Sequence, residues 1–187
     1  NDGVEDMLLT HRLAFVSCDP YLGPDEADKV NSAEAETIAA VAVTARRMAG
    51  DTYDATTTVG VIVPYRNQIA TVRAAIDKAA HAAGFDDMHD IAIDTVERYQ
   101  GSQRDVIVYG FTAKRPYQLA FLTDTEYYDA TDNAVIDRKL NVAMTRARKR
   151  LVMVGYAPLL MRDTTFRRLI EYAREKKAFF KGKKVKR

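Results

Sequence analysis

Apolar positions along the chain switch between two periods, and the switching lays out alternating strands and helices. Val59-Gly60-Val61-Ile62-Val63 and Asp105-Val106-Ile107-Val108-Tyr109-Gly110-Phe111 are almost continuously apolar. Runs with no polar face predict strands buried on both sides. Shorter runs at Arg12–Ser17, Ile91–Thr95 and Leu151–Gly155 predict three more. Between them apolar residues return every three or four positions. Ile38, Val41, Ala42 and Ala45 predict a helix that begins at Asn31 and stops at Gly50. Glu34, three residues after Asn31, makes a capping-box pattern with Asn in the cap role. Ile69, Val72, Ile76, Ala79 and Ala80 predict a second helix from about Arg66 to Ala83, closed by Gly84. Leu140, Ala143, Met144 and Ala147 predict a third over Ile136–Arg148, and Phe166, Leu169, Ile170 and Ala173 a fourth over Thr164–Phe180. Cys18–Val30 reads as a loop and Lys114–Ala134, aromatic and acidic, as a surface excursion. Strands alternating with helices imply an α/β fold: a mostly parallel sheet with helices on both faces. In such sheets ligands sit beyond the carboxyl ends of the strands. Pro64-Tyr65, Thr95–Gln103 and the turn after Gly110 fall at or near those ends.

Bulk properties narrow the class. A length of 187 residues suits a single domain, with a core over about residues 12–175 and a basic tail, 176–187, expected to be a solvated or disordered end. No apolar run approaches the roughly 20 residues of a membrane helix, so no membrane partner is expected. Asn1–Asp6 is polar and acidic, which excludes a secretory leader there. The lack of an initiator Met marks the chain as a piece of a longer protein. A lone Cys18 excludes an internal disulfide and suits a reducing, cytoplasmic setting. His11, His81 and His89 have no Cys partners at metal spacing, so no metal site is expected. Net charge is only +2, yet the charge is unevenly spread. Arg138–Arg150 holds six basic residues and no acidic one, and the stretch from Lys176 is basic again. Such clusters can meet phosphates.

Three segments carry candidate chemistry. In Val61-Ile62-Val63-Pro64-Tyr65-Arg66-Asn67-Gln68 a strand breaks at proline and delivers an aromatic, a guanidinium and an amide to its tip. Tyr65 could stack on a base and Arg66 could meet phosphate; packing of Tyr65 in the core is the competing reading. In Asp94–Asp105 a glycine, Gly101, lets backbone amides approach a ligand, while Thr95, Gln100 and Gln103 suit phosphate and ribose oxygens. A polar turn between strands fits the same residues. In Asn141–Arg148, Arg146 and Arg148 present planar donor forks that stay charged. A fork placed at a γ-phosphate stabilises charge that develops during transfer. A solvated helix face is the bland alternative, but these bases have no acidic residue four positions away.

In this order the three segments resemble motifs IV, V and VI of superfamily 1 helicases, in the branch of the nonsense-mediated-decay helicase and the replication nuclease-helicases. Val61–Gln68 is similar to "I-T-P-Y-x-x-Q", Asp94–Asp105 to "V-D-x-F-Q-G-R-E-x-D" and Arg138–Arg148 to "R-R-L-N-V-A-L-T-R-A-R". Asn31–Glu36 resembles "N-x-x-E-A". The resemblance spans roughly Phe15–Tyr156. It implies the second, RecA-like domain of a motor, a three-layer fold of the P-loop NTPase type. By that resemblance Arg146 is the catalytic arginine finger. Gln103, Gly101, Arg146 and Arg148 face ATP, and Pro64, Tyr65, Arg66, Gln68, Thr95 and Gln100 face single-stranded DNA or RNA. ATP and Mg²⁺ would be bound mainly by an upstream RecA-like domain, since no G-x-x-x-x-G-K-[ST] loop occurs here. Val63 stands where the family has Thr, and Gln103 where it often has Glu. The rival readings are a non-catalytic nucleic-acid-binding module of the same fold and a receiver-like domain. The acids Asp86, Asp87, Asp90 and Asp94 lie around one strand rather than at several strand tips, which speaks against the receiver.

Overall fold

The computed structural model describes residues 3–24, 26–99, 103–123, 127–129 and 134–182. In chain order the elements are α1 (Gly3–Thr10), β1 (Leu13–Ser17), α2 (Ser32–Ala49), β2 (Val59–Val63), α3 (Arg66–Ala82), β3 (Ala92–Thr95), β4 (Arg104–Gly110), α4 (Leu119–Leu122), β5 (Tyr127–Asp129), β6 (Ala134–Ile136), α5 (Arg138–Arg146), β7 (Ala147–Gly155), α6 (Ala157–Leu160), α7 (Thr164–Glu175) and β8 (Phe179–Lys181). Six strands form one sheet in the order β3-β2-β4-β7-β1-β8, each neighbouring pair parallel. The expected α/β architecture, a RecA-like parallel sheet with helices on both faces, is the one observed.

The continuous apolar runs resolve into two cores because successive side chains leave a strand on opposite faces. Val59, Val61 and Val63 of β2, Val106 and Val108 of β4 and Val152 and Val154 of β7 pack with α2 and α3. Ile62, Ile107, Tyr109, Leu151 and Met153 point the other way, toward Leu140 and Ala143 of α5 and Phe166, Ile170 and Ala173 of α7. A strand covered on both sides has no polar position to spare, which is why these runs show no alternation.

Several boundaries differ from the pattern-based expectation. The third helix ends at Arg146, and β7 takes over at Ala147, whose backbone is extended while its N–H still bonds Met144 O. Pairing with β4 outweighs helix continuation there, so Arg148 lies on a strand. The fourth helix ends at Glu175. Lys177 then turns the chain with φ 57°, and Phe179–Lys181 runs beside β1. Part of the supposed tail is therefore an edge strand, with Phe179 stacked on Phe15 at 5.8 Å; residues 183–187 fall outside the described ones. The excursion after Lys114 contains α4 and an antiparallel β5–β6 pair. Helix α1 was not predicted; its Met7 and Leu8 are buried in the first core.

The carboxyl edge of the sheet is tied by buried polar groups. Asn31 caps α2 by accepting Glu34 N–H at 3.1 Å, as the capping pattern predicts. Glu34 does not return the bond. Its two oxygens accept Thr112 N–H at 2.9 and 2.8 Å, just past β4. Gln68, at the start of α3, supplies the missing half: its Oε1 accepts Asn31 N–H and its Nε2 donates to Asn31 O, both at 2.9 Å. Thr112 needs the clamp because its φ is 61°, and Ala113 N–H donates to Phe111 O at 2.7 Å across it. That is a left-handed γ-turn, a strained form for a β-branched residue.

Burial pushes the Glu34 carboxyl up to about 8, against hydrogen bonds from Thr112 and Phe111 that pull it down. Unfolded, the group ionises near its ordinary 4.5. Between these values the unfolded chain releases a proton that the folded chain keeps, so this group's contribution falls as pH rises and levels off above about 8. Glu34→Gln has no such proton. The stability difference between wild type and variant, read from urea midpoints at pH 5 to 8, should narrow with pH, at a slope of at most about 1.4 kcal/mol per unit. Parallel profiles would show that Glu34 ionises in the folded chain as it does in water.

Candidate nucleic-acid groove and nucleotide-facing edge

Strands β2 and β3 end side by side, with Val63 opposite Thr95. Pro64 cannot extend the ladder, and Tyr65 turns the chain into α3. The result is a groove of about 420 Å³ lined by Pro64, Tyr65, Arg66, Asn67, Thr95, Glu97, Arg98, Lys29 and Phe121. It brings together Pro64, Tyr65, Arg66 and Thr95 of the predicted set. Tyr65, however, is only 8% exposed, and its ring lies parallel to that of Phe121 at 4.8 Å. The aromatic that reaches solvent is Phe121, 47% exposed. Lys139 of α5 sits over the Phe121 ring at 4.2 Å and donates to Phe121 O at 2.7 Å. Gln68 does not face the groove at all: it is fully buried, its amide committed to Asn31. That corrects the expectation for Gln68, whose motif position serves the fold. Lys29, Arg98 and Phe121 were missed. The aromatic character of the stretch after Lys114 was the available signal for Phe121; Lys29 lies in the acidic loop and gave none.

The rim behind the groove is built from below. A buried ion pair, Lys114 Nζ to Glu26 at 2.8 Å, joins the loop after β4 to the loop before α2. Burial alone would raise the Glu26 carboxyl, but hydrogen bonds from Lys114 and Ser32 hold it below its ordinary value. Gln118 adds three bonds, accepting Lys114 and Arg115 N–H and donating to Asp28 O. These contacts fix Lys29 and the segment that carries Phe121.

From Thr95 the chain turns at once, Thr95 O accepting the N–H groups of Arg98 and Tyr99. It crosses the second face of the sheet beside α5, with Val96 and Tyr99 in the same core as Leu140 and Ala143. The crossing loop and α5 meet at both ends. Glu97 lies 3.8 Å from Lys139 in the first turn of α5. Gln103 Nε2 donates to Thr145 O at 3.0 Å in the last. Predicted residues Gln103 and Arg146 are thus neighbours, one peptide apart across that bond. Arg146 is half-buried, and its charge, with that of Arg104, offsets part of the rise that burial imposes on the Tyr99 hydroxyl. Gln100 and Gly101 lie outside the described residues.

Arg148 is placed differently from the expectation. It stands on β7, with Nε 3.3 Å from Asp105 on the neighbouring strand, and Lys149 reaches the same carboxylate at 2.8 Å. The absence of acids four positions away therefore did not mean absence of salt bridges, because β7 pairs laterally with β4. Arg148 is committed to Asp105 and to Thr57 O, at 3.3 Å, rather than to the Gln103–Arg146 corner.

Residues 8–158 match the AAA domain family. The chain belongs to this family. Its similarity is to the second RecA-like domain of superfamily 1 helicases. It is 32% identical over 122 residues to MOV-10 of Gallus gallus, covering 65% of this chain and 12% of that protein. It is 34% identical over 122 residues to helicase sen1 of Schizosaccharomyces pombe, covering 64% and 6%. It is 29% identical over 125 residues to regulator of nonsense transcripts 1 of Dictyostelium discoideum, covering 66% and 8%. The chain thus spans a small fraction of the length of the relatives it matches. Among the described residues of this AAA domain, no helix is long and apolar enough to cross a membrane.

The crossing loop depends on one missing side chain. A Cβ at Gly60 would lie 1.9 Å from the Tyr99 hydroxyl oxygen and 3.1 Å from its ring carbon. Gly60→Ala should therefore destabilise the AAA domain by about 1–3 kcal/mol. Adding Tyr99→Phe, which deletes the clashing oxygen, should recover much of that loss in urea titrations. Equal costs with and without the hydroxyl would place the strain elsewhere.

Proposed function

We propose that this domain is the C-terminal motor lobe of an ATP-dependent superfamily 1 DNA or RNA helicase. The groove at the carboxyl edge takes single-stranded nucleic acid. Arg66, Arg98 and Lys29 meet its phosphates, and the Phe121 edge meets a base. Arg146 reaches a triphosphate held by an upstream RecA-like lobe and stabilises charge as the γ-phosphoryl leaves. Gln103, an uncharged amide, orients Thr145 and with it the last turn of α5. The donor set fits this share of the work. The Gln103–Arg146 corner offers a guanidinium and an amide, suited to phosphate oxygens, and among the described residues no trio of His, Cys, Asp or Glu stands ready for a metal. ATP and its Mg²⁺ would thus be gripped by the other lobe. The observation that carries the reading is the double fastening of the Thr95–Gln103 loop to α5, which joins the groove wall to the arginine. The names of the relatives, helicase sen1 among them, support it.

In the full-length protein, Arg146→Ala should lower nucleic-acid-stimulated hydrolysis by about 10³-fold or more while nucleotide binding is retained. This chain alone should hydrolyse no ATP. Unchanged turnover in the variant would remove Arg146 from the reaction and leave a nucleic-acid-binding module that kept the fold.

A further inference from the structure

Two basic clusters visible in the sequence have no role in the groove, and the fold brings them together at the opposite edge of the sheet. His11 and Arg12 precede β1. Arg148, Lys149 and Arg150 occupy the first half of β7, and Lys176 follows α7. These residues surround two adjoining hollows, of about 400 and about 460 Å³. The first also contains Met144 and Tyr172, the second Leu9. His11, Arg12, Lys149 and Arg150 line both, so the cations form a ridge between them. No Asp or Glu lines either hollow. The acids that engage this ring among the described residues stand outside it: Asp105 pairs with Arg148 and Lys149, and Glu175 lies 3.8 Å from Lys176. Three apolar side chains remain open to water, Leu9 at 58%, Met144 at 47% and Tyr172 at 50%.

We propose that this edge is a second binding site for single-stranded nucleic acid, with successive bases entering the two hollows and the phosphate between them lying on the ridge. Each hollow has the size of a small-ligand site. A thioether, a phenol ring and a leucine offer contact to unstacked bases, and the ridge offers charge to the backbone that links them. A duplex keeps its bases stacked inside and would leave the apolar side chains uncovered. An acidic amphipathic helix wants one continuous apolar groove, whereas here the cationic ridge divides the apolar residues into two places. Leu13 pairs with Leu151 at the amino ends of β1 and β7, so the site is separated from Pro64 and Thr95 by the length of the sheet. It does not require Arg146 and stands apart from the motor reading.

The test is fluorescence anisotropy of this chain with a short single-stranded oligothymidylate over a range of salt. Arg12→Ala with Lys176→Ala should reduce the slope of log affinity against log salt by about 1.4, two single-strand phosphate contacts. Tyr172→Ala should weaken binding about tenfold while Tyr172→Phe stays near wild type. Arg66→Ala with Arg98→Ala, in the groove, should add its own loss independently, and Arg146→Ala should change nothing. All these positions except Arg146 are exposed or rim residues, and thermal unfolding checks that the fold is intact. An unchanged salt slope in the Arg12/Lys176 variant would overturn the proposal, as would equal binding of duplex. Equally effective competition by polyglutamate would reassign the edge to acidic protein partners.

Discussion

The working edge of this AAA domain depends on two buried side chains that hold three elements by their ends. Gln68 gives both halves of its amide to Asn31, and Glu34 gives both oxygens to Thr112. Through them the start of α3, the start of α2 and the exit from β4 form one unit. Neither residue touches solvent. Loss of Gln68 would leave the Asn31 N–H and C=O buried without partners, each at a cost of about 1–3 kcal/mol. Glu34 is the costlier choice of the pair, since burial favours its neutral form. What it secures is a left-handed Thr112, which directs the chain toward Lys114 and the Phe121 platform. Gly110 leaves the room: a Cβ there would lie 2.5 Å from Glu34 Oε1.

From that edge the structure extends as a strut. The loop after β3 leaves the groove wall at Thr95, runs along α5 and is fastened to it near both ends, by Glu97–Lys139 and Gln103–Thr145. The first of these is long and exposed on the Glu97 side, so it contributes little energy by itself. Its value is geometric. Lys139 is also held by the Phe121 carbonyl and ring, so the first turn of α5 and the groove aromatic cannot move independently. The last turn carries Arg146. A change at the groove can reach the arginine through these contacts without any long-range wire, because helix, loop and strand ends are packed as one body.

Much of this was legible in the sequence, and the remainder was hidden for identifiable reasons. Continuous apolar runs gave both the parallel sheet and its double cover, since only doubly buried strands lack alternation. The order of the three motifs gave the family. Side-chain destinations were less accessible. Gln68 carries a motif-like position, yet its amide turns inward; nothing in a one-dimensional pattern distinguishes an amide that meets a ligand from one that caps a neighbouring helix. Arg148 was assigned to a helix because the apolar spacing of Leu140, Ala143 and Ala147 runs through it. The strand begins at Ala147 because β4 lies alongside, a fact of the fold alone. For the same reason Asp105, distant in sequence, became the partner that the i±4 rule could not find. Phe121 was the costliest miss: it sits in a stretch with no periodicity, and only its stacking on Tyr65 reveals it.

The near-zero net charge conceals an arrangement that follows from these same constraints. A parallel sheet has two unlike edges, and the strands of this one are too apolar to carry charge in their middles. Charged residues are therefore forced to the edges. At the carboxyl edge Lys29, Arg66 and Arg98 stand around an aromatic stack, with Glu97 among them. At the amino edge Arg12, Lys149, Arg150 and Lys176 stand around hollows with no acid in their lining. The acids are concentrated elsewhere, in pairs such as Arg46–Asp87 and Lys114–Glu26 that hold helices and loops in place. Acids spent on internal pairing leave cations in excess at both edges. Counterions condense there, and any polyanion that displaces them gains free energy in proportion to the cations it covers. The sum over the chain is therefore a poor guide to what it binds; the partition of charge between scaffold and edge decides it.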